Sequence, residues 1–226
     1  MTESAQARAD VDVIESAKLD AQQRVQLHEL FDQGYDQANH DYLDLSIGKL
    51  ARIAVARHGD RLAGFALGDC VKTSLARLER PQMVGLAGIS CIDPEFRRQG
   101  LFSELGAASI AAGDGFQAGE TLLFAGRMAH PITYRTMASR LEGSVPRGGA
   151  ALSDWHREVG LQVAALFGVT IDAETLVVIG AGRPIGFPRL EYEPTDEEEA
   201  LFRGVDRNRG DSLLAMAWIP EPPPDW

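Results

Sequence analysis

The stretch "DPEFRRQGLFSEL", Asp93–Leu105, places a short arginine-containing loop between two segments of opposite character. It follows "MVGLAGISCI", residues 83–92, a long apolar run with β character, and it leads into apolar residues at helical spacing from Leu101 onward. A strand, a tight loop and a helix start are therefore expected. Backbone N–H groups at a helix start form an anion site, and Gly100 would let a phosphate approach closely.

The composition is that of an ordinary globular protein. Of the 226 residues, 45% are hydrophobic and 24% are charged, a balance that excludes disorder, collagen and a membrane span. The formal net charge is −11, from 22 basic and 33 acidic residues, whereas a broad nucleic-acid surface needs a basic face. We therefore expect no nucleic-acid partner.

The N-terminal segment and the cysteines bear on the compartment. Residues 1–20, "MTESAQARADVDVIESAKLD", have no apolar core behind a positive charge, so they predict no secretion signal. No apolar run reaches transmembrane length. Cys70 and Cys91 are then expected to stay reduced, and the five histidines lack paired metal-ligand spacing. A cytoplasmic protein is expected, with no membrane partner and no metal.

Periodicity in the first two thirds predicts alternating strands and helices. "VDVIES", residues 11–16, alternates as a strand does, and a helix should follow an Asp20 cap. Two β-rich arms around "HGD", residues 58–60, predict an antiparallel hairpin. The next elements are predicted as strand, helix, strand and helix: 83–92, Leu101 to the "GDG" of 113–115, "ETLLFAG", and "HPITYRTMASRL".

The last third predicts further helices and strands. Ser153 can cap the helix "DWHREVGLQVAALFG", Thr195 and Glu198 have capping-box spacing, and "ETLVVIG" and "DSLLAMAWIP" have strand character. The segment "PEPPPDW" gives no reason for order. We expect one mixed α/β domain over residues 1–226: a core of about 10–145, a C-terminal elaboration over 146–219 and a proline-rich tail over 220–226.

This order of elements, with its loop, resembles the GNAT superfamily of acyl-CoA-dependent N-acyltransferases. The loop pattern of that superfamily is Arg or Gln, two variable residues, Gly, one variable residue, then Gly or Ala. Arg97, Gly100 and Leu101 fit this pattern, while Phe102 occupies the final small position. The resemblance covers roughly residues 10–145 and implies an α/β (α+β) fold with a mixed, mostly antiparallel central sheet flanked by helices.

The resemblance also implies acetyl-CoA as acyl donor. Backbone N–H groups from Arg98 to Ser103 would cradle the pyrophosphate, and Arg97 and Arg98 would add charge. The pantetheine arm would pair with the backbone of Cys91 and Ile92. The alternative is a plain strand-to-helix turn with solvated arginines. The expected cofactor-binding residues are Cys91, Ile92, Arg97, Arg98, Gln99, Gly100, Leu101, Phe102 and Ser103.

The sequence does not identify the catalytic base. An N-acyltransferase needs a neutral amine and a proton for the departing thiolate, and many members of the superfamily carry a carboxylate on the pantetheine-binding strand. "MVGLAGISCI" has none. Asp93 and Glu95 are candidates at the strand's exit, although turn residues are the simpler interpretation, and Asp41 or Asp44 could act through water.

Two residues compete as the acid that protonates the thiolate. Counted forward from the strand, His130 stands where the superfamily often has Asn, and its usual tyrosine falls at Met137. Counted back from the helix end, Tyr134 matches, with Pro131 in the first turn. The alternative for Tyr134 is a packed aromatic ring on an amphipathic helix.

The sequence thus predicts a GNAT-type N-acetyltransferase. It would move an acetyl group from acetyl-CoA to a primary amine of a small molecule or peptide by direct attack in a ternary complex. The acidic surface would favour cationic acceptors. The alternative is a catalytically inactive coenzyme A-binding module on the same fold, and a homodimer is left open.

Overall fold

A computed structural model describes residues 9–113 and 119–226, so the predicted helix end at "GDG" falls partly outside the described residues. Strands β1 to β10 are Asp10–Glu15, Tyr35–Asp36, Arg52–His58, Arg61–Thr73, Gln82–Ile92, Leu122–Met128, Ile171–Asp172, Val177–Val178, Phe187–Pro188 and Ser212–Ile219. Helices α1 to α6 are Ala21–Gly34, His40–Lys49, Leu101–Ala111, Pro131–Ala138, Asp154–Phe167 and Asp196–Phe202.

Eight of these strands form one sheet in the order β1-β3-β4-β5-β6-β10-β8-β7. All neighbouring pairs in it are antiparallel except β5 and β6, which run parallel from Met83 opposite Leu122 to Ala87 opposite Gly126. The parallel pair needs a crossover connection, and α3 lies within it. The predicted fold class, a mixed and mostly antiparallel sheet flanked by helices, is confirmed.

Helices cover both faces of the sheet. The larger core contains buried residues from α1, α2 and α5 together with Leu123, Leu214 and Met216 of the sheet. Smaller clusters on the other face involve α3 and α4, with Phe202 of α6 packed against the α4 cluster. Three helix starts are satisfied locally, since Asp20, Ser153 and Thr195 form capping boxes at α1, α5 and α6. None of the helices, in either described range, could span a membrane.

The chain after residue 145 completes the sheet. Strand β10 lies between β6 and β8, and Val145 itself bridges to Met216. The expected elaboration over 146–219 therefore supplies three strands of the central sheet, β7, β8 and β10. The proline-rich tail, which has no sequence signal for order, is held by Trp226, whose ring contacts three other aromatic rings.

Candidate functional site

The sheet opens between its two parallel strands. Pairing of β5 with β6 ends at Ala87 and Gly126, yet β5 continues to Ile92 and β6 to Met128. A register shift between β4 and β5, where Ala66 faces Ser90 but Gly68 faces Ala87, marks a β-bulge at the same level. Because a bulge bends its strand and increases its twist, β5 can part from β6 here. Helices α3 and α4 both begin beyond this opening.

Hydrogen bonding fixes which groups of β5 face the opening. The N–H of Asp93 donates to the carbonyl of Ala63 at 3.0 Å, and hydrogen-bonded pairs alternate along an antiparallel ladder. Cys91, two residues before Asp93, therefore turns its N–H and carbonyl toward β4. The main-chain groups of Ser90 and Ile92 point the other way, toward β6.

Two side chains already bind the carbonyls on this open edge. The Tyr35 hydroxyl donates to the Ser90 carbonyl at 3.2 Å, and Arg97 Nε donates to the Ile92 carbonyl at 3.2 Å. Arg97 Nη1 also donates to the Arg189 carbonyl at 2.5 Å. The guanidinium of Arg97 is thus bonded to main-chain carbonyls, not held out toward the loop. Each carbonyl keeps a second lone pair for another donor.

The loop before α3 has the backbone shape of an anion site. Arg98 and Gly100 have φ of +63° and +84°, and Gly100 is the N-cap of α3 without a side-chain cap. A Cβ on Gly100 would meet no described atom within 4 Å, so the glycine meets a conformational need and leaves open space beside it. The residues Arg98, Gln99 and Gly100 are exposed.

The first turn of α3 limits which N–H groups face that space. Ser103 donates its N–H to the Gly100 carbonyl at 3.1 Å, so this donor is already used. The N–H groups of Leu101 and Phe102 lie in the first turn, so no carbonyl within the helix can accept a hydrogen bond from them. The Leu101 side chain is buried, whereas Phe102 is 37% exposed and turns its large ring outward.

The candidate bases at the end of β5 serve the fold. Asp93 is 2% exposed, accepts from Arg61 Nη2 at 2.6 Å and caps the following turn through the N–H of Glu95. Glu95 pairs with the same arginine. Among the earlier candidates, Asp44 accepts from Arg24 at 2.7 Å and contacts His28 at 3.1 Å. These contacts favour the structural interpretation of Asp93 and Glu95.

His130 links β6 to α4 and faces a cavity. It is the N-cap of α4, with Nδ1 accepting from the Ile132 N–H at 3.2 Å. Burial, with the nearby charge of Arg207, lowers its pKa to about 4. The ring is therefore neutral at pH 7, and the acceptor role of Nδ1 puts its proton on Nε2. His130 can donate a hydrogen bond from Nε2 but cannot accept a proton there.

Tyr134 is packed and hydrogen-bonded within the protein. The residue is 5% exposed, its hydroxyl donates to the Pro146 carbonyl at 2.7 Å, and its ring meets Phe202 edge to face. Burial raises its pKa. This environment favours the alternative that the sequence left open, a packed aromatic ring.

Cys91 is 3% exposed, and burial raises the pKa of its thiol to about 12. Its Sγ lies 3.4 Å from the Leu30 carbonyl. The thiol is thus protonated and inert, as expected of a structural cysteine. Within residues 9–113 and 119–226 no group of three or more metal-ligating side chains comes together.

A cavity of about 310 Å³ lies at the start of α4. Its lining consists of His130, Pro131, Tyr192, Pro194, Glu199, Phe202, Val205 and Arg207. Most of these residues come from the chain after 190, so the last third of the sequence builds one wall. Arg207 stands over the Phe187 ring, 4.9 Å from its centroid, and β9 pairs with β2 through Phe187 opposite Asp36. The cavity is thereby linked to Tyr35 and the open edge of β5.

Four residues near the opening are not predicted as site residues from the sequence: Tyr35, Arg127, Arg207 and Ser212. Only Arg127 carried a usable signal, because a charged residue inside the otherwise apolar strand "LLFAGRM" needs a reason. The others depend on contacts between distant parts of the chain.

No protein-family model matches the sequence, and the comparison with curated proteins finds no match. Among solved structures, the chain is similar to one from Desulfovibrio desulfuricans described as an acetyltransferase of the GNAT family, with 13% identity, 65% of this chain and 91% of that chain covered, and a TM-score of 0.42. It is also similar to the ribosomal-protein-S18-alanine N-acetyltransferase of Escherichia coli. The identity is 11%, the match covers 96% of this chain and 99% of that chain, and the TM-score is 0.36.

A third similar structure is NAA60 of Arabidopsis thaliana in complex with acetyl-CoA, with 10% identity, 56% of this chain and 82% of that chain covered, and a TM-score of 0.38. The descriptions of the first two structures name acetyltransferases, and that of the third names acetyl-CoA. At these identities and TM-scores the likenesses carry no argument about activity. The fold assignment rests on the sheet order and on the opening between β5 and β6.

Proposed function

We propose that the chain is an N-acetyltransferase that uses acetyl-CoA as acyl donor and a primary amine as acceptor. One observation carries the proposal. The loop at the start of α3, in which Arg98 and Gly100 have left-handed backbone conformations, directly follows β5, and the end of β5 is separated from its parallel neighbour β6. The loop suits a pyrophosphate, and the exposed strand edge suits an amide-containing arm.

The residues fit such a donor with some changes from the sequence-based expectation. The N–H groups of Leu101 and Phe102, with the open space beside Gly100, would hold the pyrophosphate, and exposed Arg98 would add charge. The main-chain groups of Ser90 and Ile92 would pair with the pantetheine amides, in place of those of Cys91. Arg97 would hold the Ile92 and Arg189 main chains together beside the opening between β5 and β6.

Acetyl-CoA supplies a thioester with a good leaving group. The amine nitrogen attacks the thioester carbonyl, the C–N bond forms, the C–S bond breaks, and the thiolate takes a proton as the amine loses one. His130 is suited to donate a hydrogen bond from Nε2. Since Asp93, Glu95 and Asp44 are engaged in ion pairs, we propose that the amine proton leaves through water.

The experiment is calorimetric titration with coenzyme A, followed by thiol release from acetyl-CoA with a panel of amines. Gly100→Val fills the open space and should weaken coenzyme A binding at least tenfold. Gly149→Val is the matched control, because Gly149 also has positive φ, +73°, and open surroundings. Both variants place a β-branched residue at a positive φ, so their backbone strain is comparable. Equal coenzyme A affinities for the two variants would contradict the assignment of the loop.

A second candidate is a coenzyme A-binding module without turnover. Tyr35 and Arg97 already bind the carbonyls of the open edge, and β5 has no carboxylate that faces the opening. Tight coenzyme A binding without thiol release for any amine would favour this module over the enzyme.

A further inference from the structure

Arg127, at the end of β6, is half-buried and forms no ion pair or side-chain hydrogen bond within residues 9–113 and 119–226. Arg127 Nε is sealed from solvent and has no hydrogen-bond acceptor in the part of the chain that the structure describes. Arg127 stands opposite Leu214, which belongs to the core on the α1, α2 and α5 face. Its side chain therefore leaves the sheet on that face, beside the opening. A buried guanidinium N–H without an acceptor is costly, so its presence calls for a partner.

A second unsatisfied donor lies next to it. Ser212 begins β10, two residues before Leu214, so it shares the face of Arg127 and is its diagonal neighbour. The residue is 3% exposed, and its hydroxyl has no partner among the described residues. Two unsatisfied donors thus lie on neighbouring strands, at the end of β6 and the start of β10.

A third donor lies on the wall of the cavity. Arg207 is half-buried, stacks on Phe187, and forms no ion pair or side-chain hydrogen bond within residues 9–113 and 119–226. Its neighbours in sequence are not free to neutralise it. Asp211 accepts from Arg209 at 3.0 Å and from the N–H of Gly180, and Asp206 caps its own turn.

The geometry points to an acceptor amine that also carries a carboxylate, such as a free amino acid. Arg127 is half-buried and would bind the carboxylate through its terminal Nη groups, and Arg207 would add positive potential at the cavity. This inference rests on the proposed acetyltransferase function. It also departs from the cationic acceptor suggested by the net charge of −11, because the charges next to a site outweigh those spread over a screened surface.

The test measures thiol release from acetyl-CoA with amines in matched sets. Glycine, L-leucine, L-phenylalanine, L-glutamate and L-lysine are each compared with the corresponding carboxamide and the decarboxylated amine. We expect at least one free acid to exceed its carboxamide tenfold or more in kcat/KM. If none does, including the case in which no amine reacts, the inference is overturned.

Variants then assign the carboxylate to its residues. Arg127→Gln and Arg207→Gln should each lower the acid-to-carboxamide ratio about ten- to hundredfold, the scale of one hydrogen bond to a charged group. The loss should appear mainly in KM. Arg203→Gln makes the same charge change at an exposed position near the cavity and should leave the ratio unchanged. Arg207 has no side-chain hydrogen bond or ion pair within the described chain, so Arg207→Gln should fold. This variant still tests the inference if Arg127→Gln does not fold.

The two proposals fail in different ways. Absence of coenzyme A binding by calorimetry removes the acetyltransferase proposal itself. Normal coenzyme A binding with a ratio that Arg127→Gln and Arg207→Gln do not change removes only the carboxylate inference, and Arg127 then has a structural role alone.

Discussion

His130 serves the start of α4 and the cavity at once. Its Nδ1 accepts from the Ile132 N–H, as a serine or asparagine oxygen does at many N-caps. Burial, with the nearby charge of Arg207, lowers its pKa to about 4 and keeps the ring neutral. The unfolded chain protonates the same histidine near its ordinary pKa of 6.5.

The stability of the protein should therefore fall as the pH drops from 6.5 toward 4. A depressed histidine pKa contributes stability above the unfolded value and loses it on acidification. His130→Asn keeps a good N-cap and removes the titration, so its stability should depend less on pH in this window. The slope is reduced, not abolished, because burial also lowers the pKa of His156. Urea unfolding at pH 7, 6 and 5 tests this, and equal slopes for parent and variant would contradict it.

Tyr134→Phe separates a catalytic phenol from a structural one. The change removes the hydrogen bond to the buried Pro146 carbonyl, which should cost about 1–3 kcal/mol of unfolding free energy. We expect thiol release to stay within about twofold of the parent, since a phenol bound to Pro146 is not free to act as an acid. A hundredfold loss of turnover at unchanged stability would instead identify Tyr134 as the acid.

Among the elements, α6 is held to α4 by a buried carboxylate. Glu198 accepts from Arg135 Nε at 2.6 Å, from the Tyr192 hydroxyl at 2.8 Å and from the Thr195 N–H at 2.8 Å. The hydrogen bond from Arg135, opposed by burial, lowers the pKa of Glu198 to about 2. This network orients Tyr192, which lines the cavity.

Glu198→Gln should destabilise the protein by about 1–3 kcal/mol at pH 7, because Arg135 loses its charged partner while keeping some contact with solvent. The depressed pKa stabilises the parent above about pH 4.5, and this contribution fades as the pH falls toward 2. The variant should thus approach the parent in acid. Guanidinium unfolding at pH 7 and pH 3 measures both effects, with the exposed Glu197→Gln as control. A constant difference between parent and Glu198→Gln at the two pH values would contradict this assignment.

Elements with local signals could be predicted from the sequence. The capping boxes at Asp20 and Thr195 rest on residues three apart, and the hairpin follows from a short turn between β-rich arms. Helix α2 was missed because it buries only Leu43 and Ile47, too few for a clear period. Strands β2 and β9, two residues each, depend on pairing across the chain.

The candidate site also has one part that could be predicted from the sequence and another that could not. The loop at Gly100 could be predicted because its strand, turn and helix are contiguous. The hydrogen-bond partners of the residues around the loop could not be predicted. Arg97 bonds to Arg189, and Tyr35 bonds to Ser90, only in the folded chain. Propensity and spacing carry no information on such long-range contacts.

At the scale of the whole molecule, the last third of the chain closes both the sheet and the cavity. Strand β10 pairs with β6 over Leu213–Ile219, and the chain before it supplies Tyr192 and Arg207 to the cavity. The Gly100 loop follows β5, and most of the cavity wall comes from the chain just before β10, so the loop and the cavity depend on the same sheet. Damage to the end of the chain should affect the whole fold.

Trp226 provides the test of this coupling. Its ring lies 5.4 Å from that of Trp155, 4.8 Å from His156 and 5.7 Å from Trp218, between centroids, and its Nε1 donates to the Gly143 carbonyl at 3.3 Å. Aromatic clusters of this kind stabilise beyond the area they bury. Because Trp218 belongs to β10 and Trp155 to α5, the ring joins the tail to the central sheet.

Trp226→Ala should lower the unfolding free energy by about 2–3 kcal/mol, somewhat less than for a fully buried tryptophan. Trp226→Phe should recover part of the loss, since it restores ring contacts without the indole N–H. Denaturant unfolding, followed by far-ultraviolet circular dichroism so that the lost tryptophan does not bias the signal, gives both values. One cooperative transition at lower denaturant concentration is expected, because the tail and the sheet unfold together. An unchanged midpoint for Trp226→Ala would mean that residues 220–226 lie on the surface without supporting it.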